Sequence, residues 1–184
     1  KQHLELTRDI AQKFNNDFAT DLFPIPEPLI FGEGTRVMSL RDGTKKMSKS
    51  DPSDYSRIML NDDLDEIIQK IKKAKTDSKP LPLTLEEAGK RPEALNLITI
   101  FAALSDKPTA KILEEYAGKE FSLFKKNLAD LASDKLQPIS IEIKKLMNNQ
   151  DYLDTIMKSG KDRAISIAEP VLAKVYDIVG FSNI

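Results

Sequence analysis

The feature that most constrains the fold is a spacing. From about Asn61 onward, apolar residues recur at intervals of three and four. Leu64, Ile67, Ile68 and Ile71 fall on one stripe, which predicts an amphipathic helix. Its acids (Asp62, Asp63, Asp65, Glu66) come first and its lysines (Lys70, Lys72, Lys73, Lys75) last, the order that suits the helix dipole. Asn61 or Asp62 is the expected cap. Pro80 and Pro82 interrupt the pattern. Pro92 and Pro108 fit the first turns of helices over Glu93 to Leu104 and Thr109 to Tyr116, with Gly118 as a stop. Further helical runs are expected over Phe121 to Leu131, over Ile139 to Met147 after Pro138, and over Tyr152 to Met157, ending near Gly160. A last one is expected over Ala164 to Val179, which contains Pro170. No repeat of fixed period runs through these segments.

Residues 1 to about 60 read differently. Leu4, Ile10, Ala11, Phe14 and Phe18 predict one helix that fades at Asn15-Asn16. Pro24, Pro26 and Pro28, at spacing two, forbid helix and favour extended chain. Gly32 and Gly34 mark a turn, Arg36 to Leu40 suits a short strand, and Asp42-Gly43 suits another turn. Arg41 to Asp51 then carries Arg41, Lys45, Lys46 and Lys49 with almost no large apolar residue, so an exposed, mobile, basic loop is expected. The fold class that follows is mostly α: residues 1–60 as the C-terminal part of an α/β domain, and residues 61–184 as a helical domain.

Composition excludes several kinds of function. Hydrophobic residues make up 40% of the chain and charged residues 31%, enough apolar material for a core. The formal net charge is -1, so any contact with nucleic acid must come from local patches. With no cysteine and His3 as the single histidine, thiolate or His-rich metal sites and a Ser-His-Asp triad are excluded, and no metal ligands are assigned. No apolar run approaches the roughly 20 residues that span a bilayer, and a cytoplasmic protein with no membrane partner is expected. The polar, uncapped start at Lys1 reads as a cut through a larger protein.

Chemistry concentrates in Gly43-Thr44-Lys45-Lys46-Met47-Ser48-Lys49-Ser50-Asp51. Two lysines three apart, separated by small hydroxyl residues, make a compact phosphate clamp. A lysine is a point charge on a flexible stem and can follow a phosphate that moves. If a carboxylate attacks the α-phosphate of ATP, negative charge builds on the departing pyrophosphate, and cations that meet it only then lower the barrier. The bland alternative is a solvated, lysine-rich loop.

The string Lys46-Met47-Ser48-Lys49-Ser50 is identical to the second signature motif of the class I aminoacyl-tRNA synthetases. The resemblance extends to the approach (Arg36 to Leu40, Asp42, Thr44-Lys45) and the exit Asp51-Pro52. It also takes in Ala117-Gly118-Lys119 with Phe121 and Phe124-Lys125, and Leu136-Gln137-Pro138-Ile139. Gln2-His3 to Arg8-Asp9 resembles the tryptophan branch more than the tyrosine branch. The resemblance implies an α/β Rossmann-like catalytic domain ending near residue 60, followed by an anticodon-binding helical domain. It implies a ligase that activates tryptophan with ATP and transfers it to tRNA(Trp), as a homodimer, with Mg²⁺ as the counter-ion of ATP. Lys46 and Lys49 would be the catalytic cations. Met47, Ser48 and Ser50 would contact ATP, and the backbone of Val37 would lie against adenine. The family's first signature and its Gly-x-Asp-Gln segment are absent from these residues, so the chain is expected to be inactive alone. Two other readings are a module that only binds tRNA or dimerises, and a relative of the tyrosine enzymes. Tyr116, Phe121, Phe124 and Tyr152 are expected in the core rather than on an RNA surface, and Lys70, Lys72, Lys73 and Lys75 at a solvated helix end.

Overall fold

The computed structural model describes residues 2–30, 32 and 34–181; Lys1, read above as a cut, lies outside them. Seven α-helices are present among the described residues: α1 (Gln2–Asp17), α2 (Leu64–Lys72), α3 (Leu85–Gly89), α4 (Pro92–Ser105), α5 (Thr109–Tyr116), α6 (Phe121–Met147) and α7 (Gln150–Val179). A 3₁₀ turn spans Asp54–Ser56. The only strand-like pairing among the described residues is an isolated antiparallel bridge between Met38 and Lys46, so the strand expected over Arg36 to Leu40 is reduced to that bridge. The mostly α expectation holds. None of the described helices is long and apolar enough to cross a membrane.

The chain divides into two compact units, residues 31–148 and residues 1–30 with 149–184. In the first, α2, α4, α5 and α6 close over one core that includes Ile67, Ile71, Leu97, Phe101, Ile112 and Phe124. Leu40, from the segment leading into the lysine loop, is buried in the same core. Phe101, Tyr116 and Phe124 form an aromatic triangle with ring centroids 4.9 to 5.4 Å apart, two pairs tilted and Tyr116–Phe124 edge-on. The Tyr116 hydroxyl accepts from Asn127 Nδ2 at 3.0 Å. Tyr116, Phe121 and Phe124 are therefore core residues, as their spacing predicts, whereas Tyr152 is exposed.

Capping follows local chemistry, displaced by one residue. Asp63, rather than Asn61 or Asp62, caps α2: its carboxylate accepts from the Glu66 N–H at 2.9 Å, and Glu66 accepts from the Asp63 N–H at 2.8 Å. Pro92 occupies the first turn of α4, and Pro108 precedes α5. Gly118 (φ +70) turns the chain after α5 in a conformation that disfavours a side chain. There Leu81 exchanges two backbone bonds with the turn, to Lys119 O at 2.9 Å and from the Gly118 N–H at 3.1 Å.

Two expected breaks do not occur. Pro138 lies inside α6 and Gly160 inside α7, so four expected helices are two; Pro170 lies within the last of them, as expected. A proline removes one N–H and crowds the preceding turn, at about 3 kcal/mol. In α6, burial on both sides of Pro138, including Phe124, Leu128, Ala132 and Ser140, keeps the helix continuous. Helix α7 has no buried residue among those described, so packing does not explain its continuity through Gly160 and Pro170.

In the other unit the proline-rich segment runs back along α1. The Asn15 side-chain amide accepts from the Phe23 N–H at 3.1 Å and donates to Phe23 O at 2.7 Å. Arg8 donates to Pro26 O at 2.7 Å and pairs with Glu27, not with its neighbour Asp9. Phe14 stacks against Phe18 and Phe23, at 4.8 and 5.0 Å between centroids.

Candidate functional site

The lysine loop leaves the core at Leu40 and returns to it at Ser56, both buried. The Leu40 N–H donates to Ser56 O at 2.8 Å, which closes the base of the loop. On the approach, the Met47 N–H donates to Val37 O at 3.1 Å, and the Ser39 N–H to Lys45 O at 2.8 Å. These two bonds fold the segment into a tight hairpin, with Val37 half-buried beside the loop. Asp42 shapes the tip: its carboxylate accepts from the Thr44 N–H at 3.0 Å and the Thr44 hydroxyl at 2.6 Å. Those Thr44 bonds, foremost the hydroxyl's, hold the Asp42 carboxyl below its ordinary pKa.

Helix α4 supports this hairpin in two places. Asn96, buried, accepts from the Met38 N–H at 2.9 Å and donates to Met38 O at 2.9 Å and Ser39 O at 3.3 Å. Gly43 sits against the start of the helix so closely that a Cβ there would lie 2.5 Å from the Glu93 nitrogen and the Pro92 carbonyl carbon. A cavity of about 250 Å³ adjoins this contact, lined in part by Arg36, Met38, Gly43, Pro92 and Asn96.

The two signature lysines stand apart from the other cations nearby. Lys46 and Lys49 are exposed, and neither has an acidic partner within ion-pair distance among the described residues. By contrast, Lys45 pairs with Asp42 at 3.3 Å, and Lys75 with Glu93 at 2.9 Å. Arg41 donates to Lys73 O at 2.7 Å and Lys125 to Ala74 O at 2.7 Å, which places two cations at the C-terminal end of α2. Burial, with Arg41 nearby, pushes the Lys125 pKa down. Met47 is half-buried against the core, while the Ser48 and Ser50 hydroxyls lie 3.0 Å apart, both exposed.

The expected solvated lysine run is corrected in part. Lys70 is buried, 3% exposed, and its ammonium reaches Asp62 at 2.7 Å and Asp54 at 2.9 Å. Burial opposes that charge, but the two carboxylate bonds more than offset it and the pKa lies above the ordinary lysine value. Lys73 stands over the Tyr55 ring at 4.4 Å, and Lys72 is exposed. Sequence reasoning missed Asn96, Asp54 and Arg57, and placed Lys70 in solvent. The one available signal was Asn96 itself, a polar residue amid the apolar run Ala94 to Phe101. Among the described residues, no group of three or more His, Cys, Asp or Glu is placed to hold a metal ion.

A helical unit carrying a lysine hairpin with this signature is the arrangement of a class I synthetase, and residues 1–137 match the family model of tRNA synthetases class I (W and Y). The chain belongs to that family. Over 98% of its length it is 57% identical to the tryptophan–tRNA ligase of Caulobacter vibrioides and 50% identical to that of Agrobacterium fabrum. It spans about half the length of these curated relatives, 53% and 56%. Its structure superposes on 54% of the tryptophanyl-tRNA synthetase of Mycoplasma pneumoniae, with TM-score 0.82 and 28% identity over 98% of this chain. It also superposes on 54% of that of Campylobacter jejuni complexed with ADP and tryptophan, with TM-score 0.63 and 26% identity over 97% of this chain.

Proposed function

We propose that this chain is the part of a tryptophan–tRNA ligase that supplies the phosphate loop and the helical domain. The whole protein would join tryptophan to AMP at the expense of ATP and pass it to tRNA(Trp). The carrying observation is that Lys46 and Lys49 are exposed and unpaired on a hairpin tied to the core at both ends. In the reaction, the tryptophan carboxylate attacks the α-phosphate and pyrophosphate leaves. Lys46 and Lys49 meet the charge that develops on that leaving group. Met47 anchors the loop, Ser48 and Ser50 offer hydroxyl donors to ATP, and the backbone around Val37 lies against adenine. Mg²⁺ would arrive with ATP, held by phosphates and water. Residues 1–60 would close the catalytic domain, and residues 61–184 would bind the anticodon arm of tRNA in a cytoplasmic homodimer.

Lys49→Ala in the complete enzyme tests this reading. Loss of one transition-state donor should lower kcat for tryptophan-dependent pyrophosphate exchange by roughly 10²-fold. An unchanged kcat would remove Lys49 from the mechanism.

A further inference from the structure

The exit of the lysine loop is held by a chain of charges that no sequence motif marks. Arg57, whose side chain is 17% exposed, donates through Nη1 to the carbonyls of Asp51 at 2.9 Å and Ser53 at 3.2 Å. Its Nη2 lies 3.2 Å from one carboxylate oxygen of Asp54. The other Asp54 oxygen lies 2.9 Å from the buried Lys70 ammonium on α2. Lys70 also holds Asp62 at 2.7 Å, and Asp62 accepts the Met59 N–H at 2.8 Å. Asp54 is thus the charged link between the loop's exit and the buried Lys70 of the helix.

We propose that Asp54 is a positioning residue for Lys49, the nearer to the exit of the two signature lysines, acting through Arg57 and Lys70. This rests on the phosphate role given to those lysines above. The two sides of the loop are held differently. The approach is fixed by Leu40 in the core, Asn96 and the Gly43 contact. The exit between Ser50 and Ser56 has no buried apolar side chain; it meets α2 through the Asp54 carboxylate on Lys70 and through exposed Tyr55, whose hydroxyl accepts from Lys73 at 3.1 Å at the end of the helix. Asp54 itself is 59% exposed, so its pairing adds little to global stability. What it adds is placement: without it, Arg57 still gathers the loop carbonyls but nothing ties that cluster to Lys70. Displacing a catalytic group by about 1 Å can cost up to roughly 10²-fold in rate, so a group acting at one remove should cost less.

The test compares Asp54→Ala, Asp54→Glu, Lys49→Ala and the double variant Lys49→Ala/Asp54→Ala in the complete enzyme. Asp54→Ala should lower kcat for pyrophosphate exchange roughly tenfold, with KM for tryptophan and the thermal midpoint nearly unchanged. Asp54→Glu should recover part of the loss. In the Lys49→Ala background, removing Asp54 should cost little more, because its effect passes through Lys49. An unchanged kcat in Asp54→Ala, or losses that multiply in the double variant, would overturn the proposal. A second readout needs no activity: trypsin should cut after Lys45, Lys46 or Lys49 faster in Asp54→Ala than in the unaltered protein. If the unaltered enzyme shows no tryptophan-dependent exchange, the functional reading fails. The trypsin comparison then decides, and equal cleavage rates would overturn the positioning role.

Discussion

Asn96→Ala offers the sharpest test of how helix α4 holds the hairpin. The native amide serves three backbone groups: the Met38 N–H, the Met38 carbonyl and the Ser39 carbonyl. No backbone bond satisfies the Met38 N–H or carbonyl, because the flanking residues Val37 and Ser39 make the hairpin bonds instead. Truncation therefore strands one donor and two acceptors. A buried polar group left without a partner costs about 1–3 kcal/mol. Met38 is only half-buried, so water can reach part of the site, and the low end applies. Three groups at about 1 kcal/mol each give about 3 kcal/mol. For a unit of this size that corresponds to a fall of about 12 °C in the melting midpoint. Differential scanning calorimetry measures the fall, and amide exchange at Met38 reports its origin, since that N–H should lose protection while core amides keep theirs. A loss below about 1 kcal/mol, with the Met38 amide still protected, would refute the claim that Asn96 holds the segment.

Other perturbations follow from the same geometry. Gly43→Ala forces a Cβ into the backbone of Pro92 and Glu93, so it should destabilise by about 1–3 kcal/mol in chemical denaturation and raise protease sensitivity between Thr44 and Ser50. Lys70→Met leaves buried Asp62 without its cation and should cost about 3–5 kcal/mol by urea titration, with part recovered by adding Asp62→Asn. Arg91 holds Asp77 through two nitrogens, at 2.7 and 2.8 Å, and that bond keeps the Asp77 carboxyl below its ordinary value of 3.8. The folded pKa is depressed, so the stabilisation is present above about pH 4 and is lost as pH falls through the folded value. Asp77→Asn should flatten the fall in the urea midpoint below about pH 4, and an unaltered pH profile would exclude the pair as its source.

Where the sequence was informative, the cause was local. Apolar spacing and prolines at first turns placed α4 and α5 almost to the residue, because each helix carries its own stripe and start signal. The breaks assigned at Pro138 and Gly160 failed: in α6 a breaker's cost is set against the rest of a packed helix, whereas nothing packed on α7 accounts for its continuity. The strand over Arg36 to Leu40 failed for a related reason: a strand exists only as a pairing, and this segment pairs with its own hairpin. Lys46 and Lys49 stood out because their motif is contiguous. Asn96 and Met38 lie 58 residues apart, and the Asp54–Lys70 link joins a 3₁₀ turn to a helix, so no local pattern could have joined either pair.

The charge pattern around the hairpin also explains why the two lysines remain available. Each acid nearby among the described residues already has a partner. Asp42 is engaged by Thr44 and Lys45, Asp51 by the Ser53 N–H, Asp54 by Arg57 and Lys70, and Glu93 by Lys75. A phosphate approaching Lys46 and Lys49 would displace no internal carboxylate, so the attraction would not be offset by a broken ion pair. The tied cations fix the hairpin and the untied ones face solvent on it. A loop whose lysines were all paired would be just as basic in composition and far less able to receive an anion. The division between paired and unpaired cations, rather than the number of lysines, is what the proposed phosphate role draws on.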